Sequence, residues 1–188
     1  MELSPDVVRD EAESYPNRQP MFSMEQEHRS MLPNLLGDGD FGWRDAEWVV
    51  QWHFRRHLGA YPDRSRRDAE NAYGDNDYEA VADALAAART TDDLEEKFTA
   101  LTQLRGVGGE LASAFLHYLH PEEFLVVSGR EWSVLEAAGR VERSYPDSLT
   151  IDEYSQYLEA CRTLATTAGC ELRTVYQAVW MLSTDYEF

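Results

Sequence analysis

Apolar residues recur at helical spacing on both sides of a short glycine-rich segment, Gly106-Val107-Gly108-Gly109. Before this segment the series is Leu94, Phe98, Leu101 and Leu104, and after it Leu111, Ala114, Phe115 and Leu119. Intervals of three and four residues place each series on one face of a helix. Glycines accept positive φ and allow close backbone approach. The pattern therefore predicts two helices joined by a tight hairpin.

Similar patterns, together with capping residues and glycine or proline stops, predict the other helices. These helices are expected within residues 1–20 and over 22–32, 44–58, 77–89, 131–138 and 150–167, with a last one from Leu172. The first is expected to close at Tyr15-Pro16 and the second at Pro33. Residues 35–40 are predicted to form a loop, and 68–76 a polar connection.

Capping boxes are predicted where Asp92 is followed by Glu95 and where Thr150 is followed by Glu153. Strand-like alternation does not persist beyond residues 124–127. We therefore predict an all-α fold of one domain over 1–188. It is expected to have two helical lobes, 1–40 plus 140–188 and 41–139, with the hairpin near their junction.

The composition narrows the classes of protein to which the chain can belong. Its 188 residues suffice for one hydrophobic core. It contains no apolar run of membrane-spanning length, so no membrane partner is expected. Two cysteines, Cys161 and Cys170, make neither a disulfide framework nor the four-thiolate set of an iron–sulfur cluster. A reducing cytoplasm is the simplest location for such a chain.

The net charge of −18 is the most unusual feature of the composition, and Lys97 is the only lysine. An acidic surface that almost lacks lysine resembles proteins of salt-loving archaea. In molar salt the Debye length falls to about 3 Å, so such a charge repels little at a distance. The acidity is therefore interpreted as adaptation to solvent. The alternatives are an acidic nucleic-acid mimic and a cation binder.

Five arginines form the one basic segment of this acidic chain. They are Arg55, Arg56, Arg64, Arg66 and Arg67. Arginine pairs with phosphate through two parallel hydrogen bonds, which suits a nucleic-acid contact. The alternative is a set of intramolecular ion pairs with the many carboxylates. Trp48 and Trp52, four residues apart in the preceding helix, are expected to pack against another helix, with base stacking as the alternative.

The run Leu104-x-Gly106-Val107-Gly108-x-x-x-Ala112-Ser113, followed by Pro121 and Phe124-Leu125-Val126-Val127, resembles the helix-hairpin-helix of the HhH-GPD DNA glycosylase superfamily. The resemblance implies a two-lobed helical glycosylase-like fold. It also implies that DNA, duplex or damaged, is the partner, with a backbone phosphate held by main-chain N–H groups of Gly106, Val107, Gly108 and Gly109. A monovalent cation held by hairpin carbonyls is a further expectation from the family.

The resemblance breaks at the residues that carry the family's chemistry. Its aspartate, which stabilises a cationic sugar or orients water, is replaced by Ser128. Its lysine nucleophile is replaced by Glu110, which cannot form a Schiff base. Glu131 could substitute for the missing carboxylate, although it could instead complete a capping box with Ser128. Arg130 is a candidate phosphate or base contact, with a surface ion pair as the alternative.

Two histidine pairs, His53/His57 and His117/His120, have metal-ligand spacing but no third ligand, so no metal site is predicted.

The sequence supports three functional hypotheses. The first is a DNA-binding protein on a glycosylase-like scaffold, in which base excision is lost or rerouted. The second is an active monofunctional glycosylase that uses another carboxylate such as Glu131. The third is a helical protein-interaction module.

Overall fold

The computed structural model describes residues 1–37 and 40–187, and in that part of the chain it contains ten α-helices and no strand. The prediction of an all-α fold is therefore confirmed. The helices are α1 Pro5–Arg18, α2 Phe22–Gly37, α3 Trp43–Arg55, α4 Asp63–Gly74, α5 Tyr78–Thr90, α6 Leu94–Thr102, α7 Gly109–Leu119, α8 Gly129–Ala137, α9 Ile151–Ala168 and α10 Leu172–Ser183.

Helix α7, the second helix of the hairpin, lies at the centre of the molecule. Every residue from Leu111 to Leu119 is buried. A helix that is buried on all sides has no solvent face and must be surrounded by partners. Helices α2, α3, α5, α6 and α9 all pack against it. The hairpin is therefore anchored in the core, and only the amino-terminal end of α7 can reach the exterior.

The chain termini come together in a second group of contacts. Helix α1 packs along α10, and α10 also contacts α8 and α9. Tyr15 lies at the centre of the α1–α10 contact, with its ring edge-on to Trp180 at 5.1 Å and near Tyr176 at 5.8 Å. The division into lobes 1–40 plus 140–188 and 41–139 stays a prediction.

Several predicted boundaries are wrong. Helix α1 continues through Pro16 and α2 continues through Pro33, because the packing of their apolar faces outweighs the hydrogen bond that a proline removes. The predicted connection 68–76 lies mostly in α4, whose Tyr73 is buried beside Trp43. The predicted loop 35–40 is helical to Gly37, and positions 38–39 lie outside the described residues.

The two predicted helix caps differ in outcome. Helix α9 begins with the predicted box, in which Thr150 and Glu153 cap each other's main chain. Helix α6 is capped by Asp93 rather than Asp92, because the Asp93 carboxylate accepts from the Glu96 amide. None of the helices formed by the described residues has the length and apolar character that a membrane crossing requires.

Candidate functional site

The hairpin between α6 and α7 is held by contacts within the protein at its first and last glycines. Gly106 has φ +75°, and a Cβ there would lie 2.5 Å from the Ala69 carbonyl oxygen on α4. A Cβ on Gly109 would lie 2.3 Å from the carbonyl oxygen of Leu149. These positions need glycine because other parts of the chain pack directly on them. Packing within the protein thus explains why glycine is required at two of the four positions of the glycine-rich segment.

Hydrogen bonds close the turn itself and use some of its main-chain N–H and carbonyl groups. The Val107 amide donates to the Leu104 carbonyl at 3.1 Å, and the Val107 side chain is buried. The side-chain amide of Asn76 clamps Arg105, accepting from its N–H and donating to its carbonyl oxygen. The Val107 amide is therefore not available to a phosphate, which corrects the prediction for that residue.

Gly108 is the part of the hairpin that faces outward. It is the N-cap of α7, it is exposed, and a Cβ built on it meets no atom within 4 Å. Among the described residues, nothing accepts a hydrogen bond from the amides of Gly108, Gly109 or Glu110. Such amides at a helix amino terminus carry partial positive charge and point away from the helix. This end of α7 is therefore able to donate to an anion.

A groove of about 260 Å³ adjoins these amides. Its walls come from α3, α4, the hairpin and the segment that precedes α9. Residues from all four that line it include Phe54, Ala69, Gly108, Glu110 and Asp147. The groove carries two carboxylates and no arginine or lysine. It is therefore acidic on one side and offers main-chain donors on the other.

Glu110 is the centre of a polar cluster in this groove. Its carboxylate accepts from the phenol of Tyr145 at 2.6 Å, from the phenol of Tyr61 at 3.2 Å and from His53 Nε2 at 3.2 Å. Burial opposes ionisation, but the hydrogen bonds from His53 and Tyr145 outweigh it and hold the pKa of Glu110 below its ordinary value. Glu110 is therefore ionised at neutral pH.

His53 is neutral in this cluster. Its side chain is fully buried, and burial lowers its pKa despite the neighbouring carboxylate. Since an ionised carboxylate only accepts hydrogen bonds, the proton sits on Nε2. The other ring nitrogen, Nδ1, is buried without a hydrogen-bond partner among the described residues. The His53–Glu110 contact is a hydrogen bond rather than an ion pair.

Ser128 and Glu131 lie in a second cluster, which is completely buried. Arg56 NH1 contacts Glu131 Oε1 at 2.5 Å, and the hydroxyl of Ser128 donates to Glu131 Oε2. The side chains of Arg56 and Glu131 have no solvent-accessible surface. Burial opposes ionisation of Glu131, but the Arg56 guanidinium outweighs it and lowers the pKa of the carboxyl. Ser128 is the N-cap of α8 without a side-chain cap bond, so the predicted capping box is wrong.

The two clusters are neighbours because α3 and its C-cap residue each supply a partner to one of them. His53 and Arg56 lie three residues apart on successive turns, and they hold Glu110 and Glu131 respectively. The structure thus brings together all three positions that the sequence selected for chemistry. It also corrects two of their roles. Glu131 and Ser128 are 0% exposed, so neither reaches a substrate in the groove.

The arginines selected from the sequence do not form one basic surface. Arg56 is buried in its ion pair, and Arg130 is 5% exposed with Nε donating to the Ser183 carbonyl, which removes both from the predicted nucleic-acid contacts. Arg66 is bound to Asp63 and Glu70 on its own helix. Intramolecular ion pairing, the alternative interpretation of this segment, therefore accounts for Arg66 on its own helix and for Arg56 with the distant Glu131.

Three of the selected arginines remain exposed. Arg64 lies 3.8 Å from Asp68 and Arg67 lies 3.8 Å from Asp63, at side-chain exposures of 94% and 63%. Such long, solvated ion pairs are weak and exchange readily with other anions. Arg55 is exposed at the end of α3. Arg105, which sequence reasoning did not select, is exposed in the hairpin directly before Gly106.

The tryptophans of α3 pack against other helices, as the first interpretation expected, and Trp48 is only partly buried. Trp52 is buried, and its indole N–H donates to Glu25 at 2.8 Å. Trp48 stacks on His28 at 3.6 Å between ring centres. His117 and His120 are also bound within the protein, since His117 Nδ1 donates to the Phe124 carbonyl and the Lys97 ammonium donates to His120 Nε2.

Tyr61 and Tyr145 are the site residues that sequence reasoning missed. Both lie in irregular segments outside the periodic patterns, and their partner Glu110 is far away in sequence. No local signal could have joined them. Tyr145 also packs on the first residue of α8, since a Cβ on Gly129 would lie 3.1 Å from its ring.

No protein-family model and no curated protein matches the chain. Among solved structures, the chain is similar to the crystal structure of an 8-oxoguanine DNA glycosylase from Methanocaldococcus jannaschii. The two share 14% identity and a TM-score of 0.45, over 98% of this chain and 88% of the other. A similarity at this level assigns neither a family nor an activity.

Proposed function

We propose that the protein binds DNA through the exposed end of α7 and that it lacks base-excision activity. The observation that carries the proposal is the amino terminus of α7. The amides of Gly108, Gly109 and Glu110 have no acceptor among the described residues, and Gly108 leaves the approach to them open. A helix amino terminus of this kind binds phosphate. The resemblance of the hairpin to a helix-hairpin-helix is the reason for proposing DNA as the source of that phosphate.

The exposed arginines extend the proposed contact. Arg105 precedes the hairpin glycines, and Arg64 and Arg67 project from α4, whose backbone packs against Gly106. Arg64 and Arg67 can each exchange a weak carboxylate partner for a phosphate oxygen. The contacts are all to backbone phosphate, so they predict binding with little sequence preference.

Glu110 and Asp147 oppose phosphate binding, and so does the net charge of −18. The repulsion between Glu110 and a phosphate is reduced by the three groups that donate hydrogen bonds to the Glu110 carboxylate. The remaining repulsion acts over distance, so salt screens it more than it screens the short contacts to main-chain amides. We therefore expect DNA affinity to rise as potassium chloride increases from low to molar concentration. This is opposite to the usual salt dependence of DNA binding.

We expect base excision to be absent because of the environment of the three positions that the sequence selected for catalysis. Base excision needs a carboxylate at the sugar or a water molecule oriented by one. Ser128 has no charge, Glu131 is neutralised by Arg56 in the core, and Glu110 is saturated by His53, Tyr61 and Tyr145. None of them is placed to act on a nucleotide in the groove.

Two measurements on the purified protein in molar potassium chloride test the proposal. Fluorescence anisotropy with a labelled duplex, undamaged or containing an abasic analogue, should show saturable binding. The same protein incubated with a panel of damaged-base duplexes should release no base. No binding to any duplex would remove the DNA proposal and favour the protein-interaction hypothesis. An abasic product from any lesion would contradict the loss of catalysis.

A further inference from the structure

The segment between α8 and α9 forms a wall between the groove and the buried Ser128–Glu131 cluster. Several contacts hold this segment, residues 143–149, in place. The indole N–H of Trp132 donates to the Arg143 carbonyl at 2.7 Å. The phenol of Tyr145 donates to Glu110 at 2.6 Å. The carbonyl of Leu149 lies directly against Gly109.

Tyr145 is the part of this segment that separates the two compartments. Its ring lines the groove on one side. On the other side it lies against Gly129, the first residue of α8, and meets the ring of Trp132 edge-on at 5.8 Å. Ser128 immediately precedes Gly129, and Glu131 lies within the same turn. The Tyr145 ring therefore covers the end of α8 that carries both residues.

The covered compartment has features that stability alone does not explain. It encloses the Arg56–Glu131 ion pair, in which both side chains are fully buried. Buried ion pairs are weak evidence for stability, since apolar side chains of similar volume often serve as well or better. A carboxylate, a hydroxyl and a guanidinium thus lie one side chain away from an open groove.

We propose that Tyr145 is a gate between the hairpin groove and the Ser128–Glu131 compartment. In the closed state, the phenol is held by Glu110 and the ring covers the first turn of α8. In the open state, the phenol leaves Glu110 and the ring moves off Gly129. The groove then becomes continuous with the Ser128 hydroxyl and the Glu131 carboxylate. This proposal concerns access alone and does not depend on DNA binding.

Tyr61 provides a matched control because its phenol donates to the same carboxylate. Its ring packs against Phe54, at 4.8 Å between ring centres, and phenylalanine at position 61 keeps that ring. Loss of the Tyr61 hydroxyl therefore removes one hydrogen bond from Glu110 without uncovering Gly129. A gate at Tyr145 and a general loosening of the Glu110 cluster predict different results for the two tyrosines.

The test measures the chemical accessibility of position 128. Ser128→Cys places a thiol there, Cys170→Ala removes the half-buried native thiol, and buried Cys161 remains as an internal reference. Alkylation by iodoacetamide is followed with time by peptide mass spectrometry in molar potassium chloride. Tyr145→Ala should raise the alkylation rate at position 128 by about tenfold or more, as expected when a local opening becomes more favourable. Tyr145→Phe should raise it less, because the ring remains.

The control variant and the reference thiol decide between the explanations. Tyr61→Phe should leave the alkylation rate at position 128 unchanged, and Cys161 should stay protected in every variant. An unchanged rate at position 128 in Tyr145→Ala would overturn the gate. So would an equal increase in Tyr61→Phe, or an increase at Cys161 that matches the one at position 128, because the exposure would then come from general loosening.

Discussion

Replacement of Gly108 by aspartate should stabilise the protein and weaken DNA binding at the same time. Gly108 is the N-cap of α7 with φ −86° and ψ −176°, an extended conformation that any residue adopts. The aspartate-capped start of α6 and the threonine-capped start of α9 have the same extended backbone. A Cβ on Gly108 meets no atom within 4 Å. An aspartate side chain therefore fits there and can accept from the first-turn amides.

The stability gain has two sources. Aspartate is a better N-cap than glycine by a few tenths of a kcal/mol. Loss of glycine's freedom in the unfolded chain adds about 0.4–1 kcal/mol. Repulsion from the nearby Glu110 carboxylate subtracts from this sum, although molar potassium chloride screens it. We expect Gly108→Asp to raise the free energy of unfolding by about 0.5–1 kcal/mol, measured by urea denaturation.

The effect on DNA binding has the opposite sign. The new carboxylate occupies the amides that the phosphate would use and adds a negative charge beside it. A hydrogen bond to a charged group contributes about 1.5–3 kcal/mol, so the loss of one should weaken binding by about tenfold to a hundredfold. Fluorescence anisotropy with a labelled duplex measures this change.

Two further variants distinguish the effect of occupying the α7 amides from the effect of adding a negative charge. Gly108→Asn caps the helix without a charge and should also weaken binding. Ala86→Asp adds the same charge on an exposed part of α5, away from the hairpin, and should leave the affinity nearly unchanged. If Gly108→Asp is more stable yet binds DNA as tightly as the parent, the α7 amides do not hold a phosphate.

Three other predictions concern stability. Gly109→Ala should cost about 1–3 kcal/mol in urea denaturation, because its Cβ would lie 2.3 Å from the Leu149 carbonyl; tolerance of this change would contradict the packing assigned to the hairpin. Glu131→Gln should cost about 3–5 kcal/mol, since it leaves the Arg56 charge buried and unpaired, and adding Arg56→Met should recover much of the loss. Burial lowers the pKa of His117 to about 3, so the folded protein resists protonation of this side chain. The contribution of His117 to the free energy of unfolding should therefore be constant above pH ~6.5 and fall by about 1.4 kcal/mol per pH unit as the pH drops towards 3. His117→Phe should flatten that slope in urea denaturation measured across pH, and an unchanged slope would contradict the assignment.

The fold was predictable where the sequence carries regular periodicity. The apolar series around the hairpin correctly predicted α6 and α7, and the Thr150–Glu153 pair correctly marked the start of α9. Helix α4 was missed because its few apolar residues, such as Tyr73, are separated by charges and resemble a polar connection. Its helical state depends on packing against the hairpin and α3, which local propensity does not report.

The site was less predictable because its contacts join distant parts of the chain. Glu110, Ser128 and Glu131 were selected from the hairpin pattern, and the structure places them in adjacent clusters. Their partners could not be foreseen. Arg56 belonged to a run of five arginines that were all interpreted in the same way, as phosphate contacts or ion-pair partners, yet it is the one that is fully buried with Glu131. Only the tertiary fold decides which member of such a run turns inward.

The central claim is that the α7 amides receive a phosphate from DNA. The most direct measurement is a nitrogen–proton NMR titration of the isotopically labelled protein with a short undamaged duplex in molar potassium chloride. The claim predicts that the amide signals of Gly108, Gly109 and Glu110 shift most, with the Val107 amide less affected because it already donates to Leu104. Saturable shifts confined to other parts of the surface, or no shift at all, would contradict it.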